Sequence, residues 1–63
     1  MIEGLLDRQR SILKLLSERG SLSVSILSRE LGVSEVTIRS DLNELEERGC
    51  LNRSRGGAHL ALH

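Results

Sequence analysis

Leu31-Gly32-Val33-Ser34-Glu35-Val36-Thr37-Ile38-Arg39-Ser40-Asp41-Leu42 decides how this chain is read. Before it, Val24, Leu27 and Leu31 recur at spacings of three and four, the inward stripe of a short helix. Within and after it, Ile38, Leu42 and Leu45 repeat the pattern in a second helix. Gly32-Val33-Ser34 separates the two, and Ser34 is placed to cap the second helix. Two helices joined by so short a turn predict helix-turn-helix geometry.

Working outward, the spacing of Leu5, Gln9, Ile12, Leu13 and Leu16 predicts a first helix over 5–19, stopped by Gly20. The middle helix is expected over 24–31 with Ser23 as its cap, and the third over 35–48, ended by Gly49. Leu22 and Val24 alternate with serines, a pattern consistent with a very short strand before the middle helix. Downstream, the 51–60 stretch reads as a two-stranded ribbon. Gly56-Gly57 stands at or near its tip, where a tight hairpin needs positive backbone angles. The expected fold is α+β and mainly helical: a winged helix-turn-helix spanning 1–63, with three helices and a C-terminal hairpin wing.

The composition bounds the function. Sixty-three residues make one small domain, and the single Cys50 excludes an internal disulfide. One cysteine with His59 and His63 does not build a structural zinc site, so neither metal nor cofactor is expected. Cys50 reads instead as a small packing residue. No apolar run approaches the roughly 20 residues of a membrane span. The charged start is unlike a signal peptide, so a cytoplasmic protein without a membrane partner is expected. Without aromatic residues there is no stacking platform for single-stranded nucleic acid. Nothing sets a nucleophile beside an oriented base, so an enzyme is not expected.

Nine basic and nine acidic residues cancel, which taken alone argues against DNA. Their placement argues for it. From Arg48 onward there are three arginines and no acid, while Asp41, Glu44, Glu46 and Glu47 gather on the third helix. With Ile38 pointing inward, a turn of about 100° per residue puts Val36, Ser40 and Asn43 on the outward face, flanked by Thr37 and Arg39. Asn43 can pair bidentately with adenine, Arg39 can reach guanine or a phosphate, and Val36 can touch a thymine methyl. Ser34, Thr37 and Ser40 can donate to phosphates at the positive helix N-terminus, where Glu35 is the one acid. Arg53 and Arg55 can lie along the flanking backbone or enter the minor groove, with Gly56 and Gly57 allowing close main-chain approach. Arg39 can equally pair with Glu35 or Glu46, and the wing arginines can be mere solubilising charges. Asp41 falls toward the core side and is assigned an intramolecular role, orienting an arginine or capping amides. The rival reading is a winged helix that binds another protein, favoured by zero net charge and an exposed Ile26.

These motifs resemble the N-terminal domain of DeoR-family repressors, whose pattern is close to L-G-V-S-x-x-T-I-R-R-D-L, then G-x-L, then R-x-H-G-G-A. Here Leu31–Leu42 is followed by Arg53-Ser54-Arg55-Gly56-Gly57-Ala58, and the likeness extends from about Arg8 to Ala58. The resemblance implies the operator-reading domain of a bacterial repressor of sugar or nucleoside catabolism. It also implies a following sugar-phosphate-binding domain that drives homo-oligomerisation. That effector domain is absent here, so the chain reads as a fragment, expected to be mainly monomeric and to bind DNA weakly. Ser40 replaces the family's second arginine, Arg55 replaces its histidine, and Ile26 stands where an acid is common. The Arg53–Gly57 stretch is expected to be mobile without DNA.

Overall fold

The structure, a computed structural model, describes residues 4–61. His63, considered above as a metal ligand, lies outside the described residues. In chain order the elements are α1 (Asp7–Arg19), β1 (Leu22–Ser23), α2 (Val24–Leu31), α3 (Glu35–Glu47), β2 (Leu51–Ser54) and β3 (Gly57–Leu60).

Helix α1 begins two residues later than its apolar spacing predicts. Leu6 is the N-cap, and the Gln9 side chain reaches back to accept from its N–H at 3.0 Å, satisfying a donor that the helix leaves open. Ser23 and Ser34 cap α2 and α3 as expected, accepting from Ile26 N at 3.1 Å and Thr37 N at 3.2 Å. Arg48 is the C-cap of α3. The amides of Gly49 and Cys50 fold back onto the carbonyls of Glu46 and Leu45 at 3.0 Å each, a paired closure that turns the chain into β2.

The ribbon is a three-stranded sheet, not the two-stranded one expected. β1 joins it, the strands are antiparallel, and the order β1-β3-β2 puts β3 in the middle. Gly57 explains why this is possible. A Cβ built on it would lie 2.3 Å from the Leu22 carbonyl oxygen, so only glycine lets β1 approach. The hairpin turn accordingly centres on Arg55-Gly56: Gly56 carries the positive φ of 72°, and Gly57 already belongs to the strand.

The core lies between the three helices and one face of this sheet. Ile12 and Leu16 of α1, Leu27 of α2, Ile38, Leu42 and Leu45 of α3, and Leu51 and Ala58 of the sheet are at most 1% exposed. Leu22 and Val24 are also buried, and the half-buried Cys50 packs against the cluster as a small apolar residue. Burying a Leu- or Ile-sized side chain stabilises by about 1.5–3 kcal/mol, so these few residues carry most of a small domain's favourable term. No helix among the described residues is long and apolar enough to cross a membrane. The architecture is a winged helix-turn-helix.

Candidate nucleic-acid interface

The turn between α2 and α3 is locked by one residue, through its backbone and its side chain. Ser28 accepts from Gly32 N at 2.9 Å and Val33 N at 3.2 Å through its carbonyl, and its hydroxyl donates to the Val33 carbonyl. Gly32 holds a left-handed φ of 68° there. Ser28 is thus a positioning residue for α3 that the apolar pattern did not mark; its position four residues before Gly32 was the available signal.

Asp41 fixes the other side of α3. It takes two hydrogen bonds from Arg8, one of them Nη2 to Oδ1 at 3.0 Å, and a longer one from Gln9 Nε2 at 3.4 Å. Gln9 is fully buried and also donates to Glu44 at 3.2 Å. The bond from Asp41 raises the Arg8 pKa against a smaller opposing effect of desolvation, so the guanidinium stays charged. Asp41 therefore orients an arginine, one of the two intramolecular roles expected of it. With Asp41 drawn toward α1, the opposite face of α3 is left to solvent.

That face holds the expected reading set. Val36 is 73% exposed, and Glu35, Arg39, Ser40 and Asn43 are exposed along the first turns of α3, with Thr37 half-buried. Ser34 sits at the helix start, its hydroxyl shared with Thr37 Oγ1 at 3.0 Å. Arg39 pairs with Glu35 one turn away at 3.2 Å, the bland pairing that its spacing also allowed. Exposed pairs of this kind contribute about 0.3–0.5 kcal/mol, too little to hold Arg39 against a phosphate.

The wing packs on the second half of the same helix. Arg53 N donates to Glu46 at 2.9 Å, and Arg53 Nη1 donates to Asn43 Oδ1. At the turn, Val24 N donates to the Gly56 carbonyl at 2.8 Å, tying the hairpin tip to the start of α2. These contacts tie the hairpin at its base and at its tip, within the Arg53–Gly57 stretch for which mobility without DNA is expected. Arg55 and Gly56 are exposed at the turn, whereas Gly57 is buried; the close approach it permits in the free domain is to β1. Ile26 is exposed as anticipated, at 39%.

The arrangement is an exposed helix face of short polar, apolar and basic side chains beside a basic hairpin, on a scaffold fixed from behind. The sequence that builds it is similar to known proteins. Residues 8–62 match the DeoR-like helix-turn-helix domain. The chain is 52% identical over 52 residues to the HTH-type transcriptional regulator GlpR of Haloferax volcanii, covering 82% of this chain and 20% of that protein. It is 46% identical over 52 residues to a lactose phosphotransferase system repressor of Staphylococcus epidermidis, covering 82% and 21%. Against the HTH-type transcriptional repressor CutR of Bacillus subtilis it is 42% identical over 55 residues, covering 87% and 29%. The chain thus spans less than a third of the length of each of these relatives. A match over nearly all of the described residues, on a fold that brings both expected motifs together, identifies the chain as a member of the DeoR-like helix-turn-helix domain family.

Proposed function

We propose that this domain binds double-stranded DNA, laying α3 in the major groove and the wing on the flanking backbone or in the minor groove. The observation that carries the reading is the juxtaposition of the exposed Val36, Arg39, Ser40 and Asn43 with Arg53 of the wing, joined by the Arg53–Asn43 bond. The N-terminus of α3 adds a partial positive charge and free amides where a phosphate would pass. Ser34, Thr37, Ser40, Arg39 and Arg55 hold the backbone, and Glu35 tempers Arg39. Gly56 presents bare main chain at the hairpin tip, and Gly57 keeps that tip in place.

The relatives named as transcriptional regulators and repressors, one of them of a lactose phosphotransferase system, support a role as the operator-reading domain of a cytoplasmic repressor of sugar-related genes rather than an enzyme. A single module of this size buries only about 600–1,000 Å², so specific repression calls for two copies on two half-sites. The full-length homo-oligomer supplies the second copy, a sugar phosphate binds its further domain, and the isolated domain is monomeric.

Titration of mixed-sequence duplex DNA into labelled protein at two salt concentrations tests this. Amide shifts over Ser34–Asn43 and Arg53–Gly56 that fade at higher salt are expected, since each neutralised phosphate contributes about −0.9 to the slope of log K against log salt. Flat spectra at low salt would instead favour the protein-binding reading, for which the exposed Ile26 and Val36 and the internally paired arginines speak.

A further inference from the structure

Asn43 is the one amide on the reading face, and it is not free. Arginine carries only donors, so the atom that Asn43 turns toward Arg53 must be its oxygen, as the structure has it. This pairing sets the direction of the amide by chemistry. The Asn43 NH2 is left as the group to meet a base, with the guanidinium charge close to its oxygen.

Bidentate reading of adenine asks something different of the same side chain. The amide must donate to N7 while its oxygen accepts from the N6 amino group. With Arg53 already donating to that oxygen, the incoming N6 hydrogens meet a positive charge at the acceptor they need. Guanine presents acceptors at both N7 and O6, so its edge suits an NH2 donor backed by a cation.

We propose that Arg53 is a specificity-determining positioning residue: from the wing it holds the Asn43 amide so that the recognition helix favours the acceptor edge of guanine over the mixed edge of adenine. This rests on the DNA-binding reading above and goes beyond it by naming the base edge and the residue that selects it. Two observations give Arg53 this place besides the bond itself. Its backbone N–H is anchored to Glu46 at 2.9 Å, so the strand carrying it is fixed against α3. Its Nε is buried, so this part of the guanidinium is packed against the protein rather than lying free in solvent. Its remaining donors can still meet a phosphate, so positioning Asn43 and holding the backbone are compatible.

The test is selection from a randomised duplex library at low salt, with the 63-residue chain and its variants. The base position read by Asn43 is the one whose preference flattens in N43A. There the wild type should take guanine at least as well as adenine, and R53K, which keeps a donor, should do the same. R53M, which keeps the aliphatic stem and loses the donor, should move the guanine-to-adenine ratio toward adenine by fivefold or more. A merely structural role for Arg53 would weaken all sequences alike and leave that ratio unchanged.

A ratio that shifts less than fivefold in R53M, or a wild type that already prefers adenine, overturns the proposal. Failure of the wild type to enrich any sequence would overturn the DNA-binding reading itself, a distinguishable outcome. Folding of R53M is checked separately through the Asn43 side-chain amide resonances in the free domain. These should move in R53M while core signals stay; unmoved Asn43 signals count against the proposal even without DNA.

Discussion

Replacing Gly57 by alanine adds one methyl group, and the structure says that it has nowhere to go. The new Cβ would lie 2.3 Å from the Leu22 carbonyl oxygen, 3.0 Å from the Leu22 carbonyl carbon and 3.0 Å from the Ser23 Cα. All three are backbone atoms, so no side chain can swing aside. Strand β1 must separate from β3, which breaks the Leu22–Ala58 and Ser23–Gly57 pairing and strains the Val24–Gly56 hydrogen bond. Overpacking in a rigid site costs about 1–3 kcal/mol, and a lost hydrogen bond adds about 1 kcal/mol. A loss of about 3 kcal/mol is expected. Since a domain of this length has a total stability on the order of 3–9 kcal/mol, that is a large fraction. Urea denaturation followed by far-UV circular dichroism measures it, and the midpoint of thermal unfolding should fall by roughly 12–24 °C. G56A is the control: Gly56 has a positive φ of 72° but open space around its Cβ position, so alanine there meets backbone strain alone, about 1–2 kcal/mol. If G57A costs less than about 0.5 kcal/mol, or less than G56A, the packing argument for the third strand is wrong.

Three other expectations follow from particular contacts. Q9A removes a fully buried amide that serves Leu6, Asp41 and Glu44, leaving their polar groups short of a partner; it should cost about 1–3 kcal/mol in urea unfolding. The wing, held at Arg53 N and at the Gly56 carbonyl, should show NMR order parameters through Arg53–Gly57 near the about 0.85 of rigid backbone; values below about 0.6 would refute the anchoring. E35Q releases Arg39 from its ion pair and removes a negative charge from the start of α3, so affinity for duplex DNA should rise about three- to fivefold at low salt. Fluorescence anisotropy reads that gain, which should shrink as salt screens it.

Much of this molecule is legible from residue spacing because its helices are short and punctuated. Glycines 20, 32 and 49 close them and serines 23 and 34 open two of them, so periodicity and caps agree. The start of α1 was misplaced because a leucine occupies its N-cap, and the group that satisfies the exposed amide is the side chain of Gln9, three residues inside the helix. The short strand at Leu22 is legible, but its pairing into the sheet escaped for a different reason. Pairing of Leu22 with Ala58 spans most of the chain, and no local pattern encodes a partner so distant. Gly57 held the clue, but next to Gly56 it looked like a second turn glycine. On the candidate site, wheel arithmetic placed Asp41 inward and Val36, Ser40 and Asn43 outward. It could not see that Asn43 and Arg53, on different elements, would meet.

A formal charge of zero looks like an obstacle for a domain proposed to grip a polyanion, yet the ion pairs show how the charges are deployed. Arg8 is drawn to Asp41 behind α3, and Arg19 to Glu30 between α1 and α2. Each acid on these faces neutralises an arginine that would otherwise repel its neighbours, and neither pair faces the proposed groove. On the reading face the acids do something else. Glu35 engages Arg39 through a weak, exposed contact that a phosphate can replace, while Glu46 holds the backbone of Arg53. In the proposed binding mode a duplex first exchanges the Arg39 contact, which lowers the affinity for sequences offering phosphates alone. A sequence that also satisfies Val36 and Asn43 recovers that loss through base contacts worth about 1–3 kcal/mol each. Balanced charge on this fold thus favours discrimination over grip.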